Sequence, residues 1–155
     1  MKSLQKFLNE SLSGGEIAYA FTNYYDSKKP DEIADWFEAY FIIANDIIRH
    51  GYFDAGSDEA SMAIDDVLDK IEDMPLFCKN KDFDVSVKGK TVKIFYQTQG
   101  ASPDEMMVHV GNIISTFEFN KYVNFEIEIW DRSGNQETYK IDKNTNLIDF
   151  ISHLL

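Results

Sequence analysis

Three features of the sequence predict an α+β fold in which a helical N-terminal half packs on a C-terminal ββαββα unit with a four-stranded, mainly antiparallel sheet. Apolar residues recur at spacings of three and four as far as Pro75, the period of helices with one buried face. After Asp82 the period drops to two, the mark of half-buried strands. Ser102-Pro103-Asp104-Glu105, a capping box with proline at the first position, then sets one helix between two strand pairs. The 155 residues fit a single α+β domain, 1–155, and the change of period also divides it into a helical subdomain 1–75 and a sheet-bearing subdomain 82–155.

Each element follows from local signals. Ser3 can cap a short helix carrying Leu4, Phe7, Leu8 and Leu12, which Gly14 and Gly15 end. Ile17, Ala18, Phe21, Tyr24 and Tyr25 form a second stripe. Pro30, followed by Asp31 and Glu32, opens the longest helix, whose stripe runs from Ile33 through Trp36, Phe37, Tyr40, Phe41 and Ala44 to Ile48. Arg49 and His50 suit its carboxyl end before Gly51. Ser57 caps the next helix, with Ala60, Ala63, Ile64, Val67, Leu68 and Ile71 inward, and Pro75 stops it. Phe83, Val85 and Val87, then Val92, Ile94 and Tyr96, form a hairpin about Gly89. Met106, Met107, Val110, Ile113, Ile114 and Phe117 line the capped helix. Val123 to Trp130 and Thr138 to Ile141 are two more strands, and Leu147 to Leu155 a final helix.

Charge is unevenly spread. The chain carries a net −12. Up to Pro75 there are 16 acidic against 6 basic side chains, a net of −10, and beyond it the net is −2. Between Asp31 and Asp73 the only cations are Arg49 and Lys70. Such a field repels nucleic-acid phosphate and anionic lipid, so no direct nucleic-acid or membrane partner is expected. It attracts a basic protein partner. No apolar run approaches the roughly 20 residues of a membrane span, and the opening residues lack a secretory pattern, so the cytoplasm is the expected compartment.

The residues that could carry chemistry are few. The one cysteine, Cys78, excludes a disulfide framework and is expected to be buried and inert. His50, His109 and His153 form no ligand pair, and no phosphate loop, dinucleotide fingerprint or nucleophile elbow is present. No cofactor, metal site or catalytic set is assigned. An enzyme assembled from scattered residues would centre on His109, which borders the stripe of its helix, and would need a deep pocket where the ring meets carboxylates. Two binding surfaces stand out. Asp58, Glu59, Asp65, Asp66, Asp69, Glu72 and Asp73 crowd one helix with like charge. Phe95 and Trp130 share the polar phase of their strands with Lys93, Glu126 and Glu128, and are either exposed anchors or covered by the N-terminal helices.

The opening Met1-Lys2-Ser3-Leu4-Gln5-Lys6-Phe7-Leu8-Asn9-Glu10 resembles the head-targeting segment on internal proteins of large tailed bacteriophages. Those segments begin with Met-Lys and a short amphipathic helix, and the prohead protease cuts them after Leu/Ile-x-Glu, which Leu8-Asn9-Glu10 matches. Packaged internal proteins are often basic, whereas this chain is acidic. The resemblance implies a small accessory phage or mobile-element protein, in the bacterial host cytoplasm or the phage particle. Three functions follow as expectations: a non-enzymatic module engaging a basic partner, such as an inhibitor, immunity or counter-defence protein; an enzyme around His109; or a virion or structural component, of unknown oligomeric state.

Overall fold

The structure, a computed structural model, describes residues 14–71 and 79–155. In this span the order is helices α1 (Gly14–Asn23), α2 (Pro30–His50) and α3 (Asp58–Leu68), strands β1 (Asn80–Lys88) and β2 (Thr91–Thr98), helix α4 (Pro103–Phe117), a single 3-10 turn (Phe119–Lys121), strands β3 (Asn124–Trp130) and β4 (Gln136–Ile141), and helix α5 (Leu147–Leu154). This is the α+β arrangement that the periodicity predicts. The first short helix, residues 1–10, Glu72, Asp73, Pro75 and Cys78 lie outside the described residues.

The sheet has the order β1-β2-β3-β4. Its two outer pairs are antiparallel and its central pair, β2 with β3, is parallel. A parallel pair needs a long crossover, and α4 supplies it. Ser102 and Glu105 form the reciprocal capping box expected at its start. Register places Val85, Ile94, Ile127 and Tyr139 in one row across the four strands, and Val87, Val92, Phe125 and Ile141 in the next. Both rows face the helices. Helix α2 covers β1 and β2, and α4 covers β3 and β4.

The core is therefore a helix layer over one sheet face. One continuous apolar cluster runs from Ile17 in α1 to Leu147 in α5, joining both halves of the chain. Trp36 is its centre: the ring stacks on Phe21 and Tyr40 at 5.2 and 5.5 Å between centroids, and meets Phe37, Phe117 and Phe119 at angles. Its Nε1 donates to the Phe21 carbonyl at 3.0 Å, so the indole's polar atom is satisfied inside the core.

Polar anchors fix α2 to the sheet. The buried Asn45 amide donates to the Phe41 carbonyl and its oxygen accepts the Asn80 N–H at 2.8 Å. Arg49 donates to the Asn80 carbonyl at 2.8 Å, so both backbone polar groups of Asn80 are met by α2 side chains.

Two glycines matter for shape. Gly51 ends α2 with φ of 84°, a left-handed conformation open to glycine. Gly14 begins α1, where a Cβ would sit 1.9 Å from the Asp54 carbonyl oxygen; the helix that Gly14 and Gly15 were expected to close lies outside the described residues. The chain passes there closely enough to bring α1 against α3. A difference from the expected elements concerns α3. Its stripe was expected to continue as a helix to Ile71, but the helix ends at Leu68 with Asp69 as its C-cap, and Ile71 is buried from the following turn.

The described core starts at Ile17. A chain beginning at Ser11, the product of a cut after Glu10, is expected to keep one cooperative thermal transition, because an isolated helix of about ten residues adds little by itself. Loss of that transition in a melt would show that Leu4, Phe7 and Leu8 belong to the core.

Candidate functional site

Helix α3 is built to keep its acids in water. Ser57 Oγ accepts from the Ala60 N–H at 3.1 Å, and Asp58 and Glu59 occupy the first turn, where the helix dipole favours negative charge. Ile64 and Val67 are buried, and Ala60 and Leu68 pack against the core beside them. At 3.6 residues per turn, Asp58, Glu59, Asp65, Asp66 and Asp69 then fall within an arc of about 120° on the opposite side. All five are exposed. At the middle of that arc lies Met62, 68% exposed.

Nothing described neutralises this face. Among the described residues no ion pair joins the five acids to a cation. Lys70, the cation nearest in sequence, holds its amine 4.2 Å from the centre of the Tyr25 ring, and Arg49 is spent on Asn80. A second acidic group opens α2. Burial of its carboxyl, then the charges of Asp31 and Glu32, raise the pKa of Asp35, although part of its side chain reaches solvent.

The structure does not gather all the predicted surfaces into one. The α3 acids lie in the helical layer, whereas Phe95 and Trp130 lie on the sheet face turned away from the helices. Asp84, Phe95, Glu128 and Thr138 form one row there, and Ser86, Lys93, Glu126 and Lys140 the next. Phe95 and Trp130 are half-buried. Of their two expected settings, the structure places them on the face opposite α2 and α4. Trp130 Nε1 donates to Glu128 Oε2 at 2.7 Å, and a shallow depression of about 360 Å³ opens over Phe95, between Asp84, Lys93, Glu126 and Glu128.

His109 has a different setting from the one an enzyme would need. It is 5% exposed, with Nε2 2.6 Å from the Tyr40 hydroxyl. Burial pushes its pKa down from 6.5 to about 4, and no carboxylate contributes to the shift. The imidazole is a neutral pin between α2 and α4. Tyr139 plays a related part at the sheet's edge: its hydroxyl donates to Asp104 Oδ1 at 2.7 Å, and burial followed by that bond raises its pKa.

Among the described residues no cluster of three or more His, Cys, Asp or Glu side chains is placed to hold a metal ion, and no helix is long and apolar enough to cross a membrane. Sequence reasoning missed Met62, although the spacing of the acids around it, three and four residues on either side, already put it on their face. It also missed Tyr52, 67% exposed beyond the end of α2. Compared with protein-family models, curated proteins and solved structures, the chain gives no significant match to any of them.

Proposed function

We propose that this protein is a small, non-enzymatic binding module that engages a basic protein partner through the outer face of α3. The observation that carries the reading is the exposed Met62 ringed by Asp58, Glu59, Asp65, Asp66 and Asp69, with no cation paired to them among the described residues. An apolar anchor inside a charged rim is how a binding surface combines affinity with steering: the anchor is desolvated on contact and the rim raises the encounter rate. The excess of acid in the first half of the chain extends the same field over the helical layer. An inhibitor, immunity or counter-defence role fits a module of this kind. The resemblance of residues 1–10 to phage head-targeting segments supports a phage accessory setting.

The test separates binding from folding. Replacing Asp65, Asp66 and Asp69 together by Asn is expected to leave stability unchanged or slightly higher. Like charges at i,i+3 and i,i+4 cost a helix about 0.2–0.5 kcal/mol per pair. The same variant, and Met62→Ala, should retain less basic protein than the wild type in affinity capture at low salt, and association should become less salt-dependent. If the triple variant captures the same partners with the same salt dependence, α3 is not the binding face.

A further inference from the structure

We propose that Met62 is an oxidation site, and that its conversion to the sulfoxide by hydrogen peroxide turns the outer face of α3 from a binding surface into a non-binding one. The consequence for binding rests on the reading of α3 given above; the chemistry at the sulfur does not. The described methionines have opposite settings. Met62 is 68% exposed and lies outside the apolar cluster, whereas Met106 and Met107 are fully buried on the inner side of α4. An oxidant must reach the sulfur to act on it, so exposure selects Met62 among these three.

The charge around Met62 selects the oxidant. Asp58, Glu59, Asp65 and Asp66 stand three and four residues to either side of it, the spacing at which side chains on a helix are neighbours. All four are exposed, and no cation among the described residues pairs with them. Their field repels anionic oxidants such as hypochlorite and leaves an uncharged peroxide unhindered. The step moves one oxygen atom and two electrons. A sulfur lone pair attacks one peroxide oxygen, and the S–O bond forms as the O–O bond breaks. The departing hydroxide takes up the proton that the sulfur-bound oxygen releases and leaves as water. The thioether is oxidised to the sulfoxide, and the peroxide is reduced to water.

The product has the wrong chemistry for an anchor. An apolar side chain stabilises an interface because contact removes it from water. A sulfoxide carries a strongly polar oxygen, and covering that oxygen costs free energy unless it meets a donor. The acids around Met62 supply none, since an ionised carboxylate only accepts. The rim keeps its charge, so attraction of a basic partner survives while the anchor is lost. The fold is spared, because Met62 is not part of the core. Methionine sulfoxide reductases return the sulfoxide to the thioether, so the change is reversible, as a switch requires.

Treatment of the full chain with hydrogen peroxide, followed by peptide mapping, tests the site. Met62 should gain one oxygen about tenfold faster than Met106 or Met107. Binding is read with two synthetic probes, a peptide of alternating lysine and leucine and a peptide of lysine alone. Oxidation should weaken binding of the lysine–leucine peptide about fivefold and leave that of the all-lysine peptide unchanged, since only the first has apolar groups to cover the anchor. Methionine sulfoxide reductases should restore the loss. Met62→Leu keeps an apolar side chain and removes the sulfur. It should bind both peptides as the untreated wild type does and should not respond to peroxide, which separates Met62 from Met1, Met74 and Cys78 as the source. Circular dichroism should be the same before and after treatment. Oxidation of Met62 no faster than that of Met106 and Met107 would overturn the site. Equal weakening in Met62→Leu, or equal weakening of both peptides, would overturn the switch. If the untreated chain binds neither peptide, the α3 reading fails and the switch fails with it, while the mapping still decides whether Met62 is the oxidation site.

Discussion

Acidification from pH 7 to pH 4 should destabilise this protein by about 3 kcal/mol through His109 alone. Burial holds the folded pKa near 4 against 6.5 for the free side chain. Between these values the unfolded chain binds a proton that the folded chain does not. Stability therefore rises with pH across this window and is lost as pH falls through it. A difference of two to three pKa units, at 1.36 kcal/mol each, gives about 3 kcal/mol. That is a large share of the ~5–15 kcal/mol of a typical domain. Chemical denaturation at several pH values measures the effect. His109→Gln, which keeps a group able to hydrogen-bond the Tyr40 hydroxyl, should lose most of the slope between pH 6.5 and 4. Carboxylates also titrate near the acid end, so the difference between wild type and variant isolates the histidine. If the two profiles are parallel, the ring protonates in the folded state without penalty, and its role as a neutral pin fails.

Removing the Trp36 ring should cost about as much or more. Trp36→Ala deletes a fully buried indole that packs on rings from α1, α2 and the end of α4, and such truncations cost about 3–5 kcal/mol. Trp36→Phe keeps part of the stack but leaves the Phe21 carbonyl without its donor, a loss of about 1–3 kcal/mol. Urea unfolding followed by far-ultraviolet circular dichroism is the measurement, because it does not depend on the fluorescence that the substitution removes. A loss below about 1 kcal/mol for Trp36→Ala would mean that α1 is held to α2 by other contacts.

The proposed binding face shows how far local pattern reaches. The five acids, their crowding on one helix and the Ser57 cap are all readable from spacing, because a helix maps sequence onto a surface by a fixed rotation per residue. That no cation among the described residues pairs with them is not readable. It depends on Lys70 folding back over Tyr25 and on Arg49 reaching Asn80, contacts that span 45 and 31 residues. Trp130 and Phe95 were assigned to the polar phase by alternation, yet alternation has no means of saying which face a helix covers.

The sequence by itself determined the class of each element and its inward stripe, since the periods of 3.6 and 2 are local properties of the chain. It also determined the excess of acid and the start of α4, where Ser102 and Glu105 close on each other within four residues. Tertiary structure decided the rest. The end of α3 at Leu68 carries no glycine or proline signal; Ile71 is buried from the turn beyond it. The parallel pairing of β2 with β3 arises because α4 carries the chain back over the sheet before β3 begins. The bond between Tyr40 and His109 joins residues 69 apart, and only the packing of α2 beside α4 brings them together. Which segments meet is set by the way apolar stripes from distant parts of the chain cover one another, and that choice is made by the whole core at once.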